Sequence, residues 1–188
     1  MINNKSDENL FFAYKILENS LNILKDNYAD LMSVVENVKR ENPKELCAYS
    51  RKINQTVHNF SAAVGTCIER ERKFKKKYFD DALIEESNSK IKELFFSPEC
   101  QFADNLRNFV LHCVLPQISW GFGGDGSVKD ILFQKDVLLK NGRWNEQAKT
   151  YILESSGSTV DVIKSIKCYY EAFCSYYDKW LCRKVLTN

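Results

Sequence analysis

Apolar residues recur along the N-terminal part of the chain in steps of four and three: Leu10, Tyr14, Leu17, Leu21, Leu24, Tyr28, Leu31, Val35 and Val38. This is a heptad seam, so it predicts a long helix that packs along its length against near-parallel partners. Ser6 or Asp7 is the expected cap. Asn42-Pro43-Lys44-Glu45 then combines a cap, a proline suited to the first helical position and a glutamate able to reach back. A second helix follows, with Leu46, Tyr49, Ile53, Val57, Phe60, Val64 and Cys67 on one face and a charged end at Glu69 to Lys77. The polar stretch Asp80 to Asn88 reads as a break, followed by a short segment around Ile91, Leu94 and Phe95.

Ser97-Pro98 starts the next helix by the same logic, with Phe102, Leu106, Phe109, Val110 and Cys113 inward and Pro116 as its stop. Gln117 to Phe122 and Val128 to Phe133 flank Gly123-Gly124-Asp125-Gly126, which predicts two strands around a glycine-rich turn. Asp136 begins a helical turn. Trp144 precedes a helix over Asn145 to Glu154, and Ser155 to Ser158 forms a loop. The last helix starts near Thr159, and its seam is Ile163, Ile166, Tyr170, Phe173, Tyr177 and Trp180. The expected fold is therefore all-α: an up-and-down bundle of four to five helices with a small β-hairpin insertion around residues 117–133, forming one domain over 1–188.

Composition agrees with a globular chain, at 44% hydrophobic and 28% charged residues. No run approaches the ~20 apolar residues that span a bilayer, and the polar N-terminus lacks a secretory core. A cytoplasmic protein without membrane contact is expected. The 7 cysteines are scattered and include no C-x-x-C pair, so buried reduced thiols are expected and no metal or cofactor site is. The segment Gly121 to Gly126 lacks the spacing of a dinucleotide-binding loop.

The chemistry-bearing candidates sit together on the third long helix. Asn108 and His112 are four apart and share a helix face. Arg107 and His112 are five apart, roughly 140° around an ideal helix, which the long arginine stem or fraying before Pro116 must bridge. Arginine can fork onto phosphate oxygens, histidine can carry a proton near neutral pH, and the amide can orient either. These residues fit transesterification of RNA by its own 2′-hydroxyl, which needs no metal. They equally fit a plain helix end, with His112 capping carbonyls and Arg107 paired to Asp104.

The order Arg107, Asn108, His112 in a helical bundle resembles the signature of the HEPN superfamily. That signature is an arginine, a polar residue and then a histidine after four to six intervening positions. The resemblance implies a ribonuclease site formed by two copies of the motif across a homodimer interface. It also implies a place in a toxin–antitoxin, phage-defence or abortive-infection system, with RNA as substrate and a cognate antitoxin or defence protein as partner. Some members of the family are non-catalytic binding modules.

A basic run, Arg70, Arg72, Lys73, Lys75, Lys76 and Lys77, can attract an RNA backbone or simply form a solvated helix C-terminus. His58 lies beside Val57 with no evident catalytic partner in sequence. Around Tyr169, Tyr170, Phe173, Tyr176, Tyr177 and Trp180 the aromatics cover more than one helix face. Tyr170, Phe173 and Tyr177 suit the core, and the surplus suits a second subunit or partner. The small size and that surplus support an alternative function, a non-catalytic interaction protein such as an immunity protein, antitoxin or defence adaptor.

Overall fold

The computed structural model describes residues 7–40, 46–112, 116–141 and 143–186. The Asn42 to Glu45 cap, Ser6 and Cys113 lie outside the described residues. Helix α1 (Asp7–Arg40) and helix α2 (Leu46–Tyr78) form an antiparallel pair with the most extensive contact in the molecule. Its register is read from three points. Tyr78 donates to the Asn9 carbonyl at 3.0 Å, Arg70 reaches the Ile16 carbonyl and Ser20, and Tyr28 packs against Phe60. The expected seams line the interface: Leu17, Leu21, Leu24, Leu31, Val35 and Val38 are buried on α1, and Ile53, Val57, Phe60, Val64 and Cys67 on α2.

The rest of the chain supplies α3 (Asp81–Leu94), α4 (Pro98–His112), β1 (Ile118–Phe122), β2 (Val128–Gln134), α5 (Lys135–Asn141), α6 (Glu146–Glu154), β3 (Thr159–Asp161) and α7 (Val162–Cys174). A π-helical segment (Ser175–Leu181) and a last α-helical turn, α8 (Cys182–Leu186), continue α7. The result is an all-α bundle carrying one small antiparallel sheet of order β1-β2-β3. Among the described residues, no helix is long and apolar enough to cross a membrane.

Three local expectations change. The polar stretch 80–88 is not a break: the chain bends only at Phe79-Asp80, and the Asp80 carboxylate caps α3 by accepting from the Leu83 amide at 2.9 Å. The stretch misleads because α3 is largely solvated and buries only Leu83 and Ser87. Thr159 does not start the last helix. Residues 159–161 pair with Leu132 to Gln134 as a third strand, and Val160 is fully buried. Three residues are too few to show a period of two.

The last seam also slips. The buried positions run Tyr169, Phe173, Tyr177 and Leu181, a repeat of four, rather than through Tyr170 and Trp180. The wider π turn, with the Cys182 amide bonded five residues back to Tyr177, lets a strict four-residue spacing stay inward. Tyr170 instead stacks on Tyr28 with centroids 3.6 Å apart, and Trp180 stacks on Tyr176 at 5.3 Å. The aromatics that looked surplus are thus consumed internally: Tyr169 and Tyr176 are buried.

Tyr176 belongs to a closed buried network. It donates to Glu71 Oε1 at 2.7 Å, so the Ser87 hydroxyl, 2.7 Å away, must donate to the phenol oxygen. Lys75 Nζ donates to Ser87 at 3.0 Å and pairs with Glu71 at 2.5 Å. The ring ties α2, α3 and the π segment together, and all four side chains are buried. Breaking a buried pair strands its partner and costs about 3–5 kcal/mol. Glu71→Ala should therefore lower the urea unfolding free energy by about that amount. Glu69→Ala, which removes only an exposed pair with Lys73, should leave the midpoint unmoved.

Burial, and then Asp104 for Tyr169 and Glu71 for Tyr176 and Tyr177, holds these three phenols protonated well above the usual range. An unfolded tyrosine titrates near ~10, so above that pH the unfolded chain releases protons the folded chain retains. Their contribution to stability is whole below about pH 10 and falls as pH rises beyond it. Phenolate absorbance from these tyrosines should appear only as helical circular dichroism collapses. Full phenolate titration near pH ~10 with the helices intact would contradict this.

Candidate functional site

Helix α4 is held on three sides, which decides where its polar residues point. Ser97 accepts from the Cys100 amide at 3.2 Å and Pro98 occupies the first helical position, so the start follows the sequence expectation. Cys100, Phe102, Ala103, Leu106, Phe109 and Val110 are buried against α2, α6 and α7. Trp144 stacks on both Phe102 and Phe109, with centroids at 5.3 and 5.5 Å, and donates to the Leu138 carbonyl at 2.8 Å. Asn145 caps α6 through the Ala148 amide. Its own amides reach Asn105 at 3.1 Å and Gln101 at 2.8 Å, which fastens α6 along the polar flank of α4.

With that inner face occupied, Asn108 and His112 are exposed one helical turn apart, and Arg107 is half-buried beside them. Arg107 Nη2 donates to Asn108 Oδ1 at 3.4 Å, a long contact. The pairing of Arg107 with Asp104 is not formed. Asp104 instead accepts from the Tyr169 hydroxyl at 3.0 Å, and no ion pair among the described residues uses Arg107. His112 ends α4, where a cation is favoured by the helix dipole.

The second histidine, His58, lies on α2 between two residues that meet the chain around α4. Asn54, His58, Ser61 and Gly65 fall on one stripe of α2 by their spacing. At one end of that stripe Asn54 donates to the Pro116 carbonyl at 3.3 Å. At the other, Arg107 Cδ lies 3.9 Å from where a Cβ on Gly65 would sit. The two contacts place Gly65 beside Arg107 and Asn54 beside Pro116, and exposed His58 falls between Asn54 and Gly65 along α2. The available signal was the spacing from His58 to Gly65, but only the docking of α4 gives it meaning. Asn54 Oδ1, at the same end, is buried without a hydrogen-bond partner among the described atoms.

The basic run does not form one patch. Arg70 bonds Ser20 and the Ile16 carbonyl, Lys73 pairs with Glu69, and Lys75 is inside the buried ring. Arg72, Lys76 and Lys77 are exposed cations of the run without an ion pair among the described residues, and Lys77 lies over the Tyr78 ring at 5.0 Å. Consecutive residues on a helix point 100° apart, so a linear run spreads over several faces.

No group of three potential metal ligands occurs among the described residues. The six described cysteines are free, and burial pushes the Cys67 and Cys100 thiols up to about 12. Comparison with protein-family models, curated proteins and solved structures finds no match.

Gly65 offers a check on this geometry. Its nearest neighbour is the flexible Arg107 stem at ordinary contact distance, and glycine in a helix interior is less stable than alanine by about 1 kcal/mol. Gly65→Ala should raise thermal stability by about that amount. Gly65→Phe should lose the gain because its ring needs the space that Arg107 occupies. A destabilising Gly65→Ala would contradict the placement of Arg107.

Proposed function

We propose that this chain is a metal-independent endoribonuclease that cleaves RNA on the outward face of α4, with a site completed by a second copy of the chain. The observation that supports this most is the state of the three motif residues. Arg107 has no acidic partner among the described ion pairs, and Asn108 and His112 are exposed on one face of an otherwise buried helix. The resemblance to HEPN ribonucleases gives the same assignment and places such an enzyme among toxins or defence proteins.

In this reading Arg107 binds the non-bridging oxygens of the scissile phosphate and stabilises the charge they gain in the transition state. Asn108 holds the guanidinium in place from the side. His112 takes the proton from the ribose 2′-hydroxyl, whose oxygen attacks the adjacent phosphorus. The bond to the 5′-oxygen breaks, and that oxygen needs a proton as it leaves. The His112 of a second copy or His58 of the same chain supplies it. The products are a 2′,3′-cyclic phosphate and a free 5′-hydroxyl.

The purified chain should cleave single-stranded RNA, and Arg107→Ala and His112→Ala should each lower kcat/KM by at least about 100-fold with the fold intact. His58→Ala separates the two acids: cleavage of ordinary RNA slows if His58 supplies the proton and is unchanged if the His112 of the second copy does. The variant should leave a uridine 3′-(4-nitrophenyl phosphate) substrate nearly unaffected, because nitrophenolate leaves without a proton. RNA cleavage that survives both Arg107→Ala and His112→Ala sinks the proposal. A folded chain without RNase activity that co-purifies with a neighbouring gene product would favour the interaction-protein alternative.

A further inference from the structure

Beyond the α4 face, a cavity of about 660 Å³ opens between the C-terminal half of α2, α3, the start of α4 and the α7–π helix. Its size is in the range of small-molecule sites. The floor is aromatic and braced. Phe173 and Tyr177 stack with centroids 4.6 Å apart, and Phe95 stands edge-on to Phe173 at 5.9 Å and to Tyr169 at 5.1 Å. One wall is the Glu71–Lys75 pair of the buried ring. The lining charges balance in number but not in place: Glu71 and Lys75 pair with each other, and the acids Asp104 and Asp81 lie on α4 and α3, away from the cations of α2. Arg72 and Lys76, one helical turn apart on α2, line the cavity, are exposed and have no ion pair among the described residues. Asp81 is in the first turn of α3, where the helix dipole favours it.

We propose that this cavity binds a small organic anion with a flat apolar body. The body lies against the half-buried Ile68, Ile84, Ile91 and Phe95, which the buried Phe173–Tyr177 stack braces from beneath, and its carboxylate or sulfonate sits between Arg72 and Lys76. A flat ring packs on Phe95 in offset or edge geometry, and a guanidinium one turn from an ammonium clasps an anionic head through charge-assisted bonds. This assignment stands independently of RNA cleavage, because none of Arg107, Asn108 and His112 lines the cavity.

Three isosteric probes test it by isothermal titration calorimetry at low salt: naphthalene-2-sulfonate, naphthalen-2-ylmethanol and naphthalen-2-ylmethylammonium. The sulfonate should bind about tenfold or more tighter than the alcohol, and the ammonium weakest. The double variant Arg72→Ala, Lys76→Ala changes exposed positions and should remain folded. It should erase the sulfonate's advantage and leave the alcohol's affinity unchanged. Ile91→Trp, which fills the cavity from α3, should abolish binding of all three while circular dichroism stays native. The proposal is overturned if the ammonium binds tightest, if no probe binds at millimolar concentration, or if the double variant binds the sulfonate as well as the wild type.

Discussion

Burial of the Glu71–Lys75 pair is the constraint around which the rest of the structure is arranged. An ion pair removed from water stabilises a fold only if its remaining hydrogen-bonding capacity is met. Here Ser87 from α3 and Tyr176 from the π segment meet it, at 3.0 and 2.7 Å. Tyr176 then faces inward beside Tyr177, within the π segment whose wider turn accommodates both rings. The segment follows directly on α7, whose register places Tyr169 against α4.

From that register follows the division of α4 into two faces. Tyr169 on α7 occupies Asp104, and Trp144 and Asn145 fasten α6 to the apolar face and polar flank. An acid one turn before Arg107 is thereby removed from competition, and the guanidinium lies along α2 toward Asn108. The same aromatic packing that frees the motif lines the cavity, where the π segment bonds α2 through Tyr176 to Glu71 and Tyr177 to the Cys67 carbonyl. The two candidate sites differ in kind. One is a convex polar face suited to a polymer and a second subunit, and the other is a concave aromatic pocket suited to a small molecule.

Much of this was legible in the residue pattern, and the failures have physical causes. The seams of α1 and α2 and the Ser97-Pro98 start were readable because each repeats a helical period or a cap chemistry. The slip to Leu181 was not, since a π turn breaks the period on which the reading rests. Polarity concealed α3, which buries only Leu83 and Ser87 and is otherwise tied down by its cap and by Glu86 bonded to Trp180 and Lys184. Of the candidate site, the order Arg107, Asn108, His112 was visible, but not that Asp104 is already engaged. His58 looked isolated because the contacts on either side of it, at Asn54 and Gly65, reach residues far along the chain. The basic run was legible as charge, but not which of its cations are engaged, because sequence adjacency hides the 100° turn between neighbours.

The central claim is that the outward face of α4 performs transesterification through the ribose 2′-hydroxyl. Its most direct test is end-group analysis of a short RNA, incubated in chelator with the wild-type chain, beside the same oligomer carrying a 2′-deoxyribose at the cleaved position. The account predicts a 2′,3′-cyclic phosphate and a 5′-hydroxyl from the all-ribose strand, and no cut at the deoxy position. Cleavage of the deoxy strand at that position, or products bearing a 5′-phosphate, would contradict it.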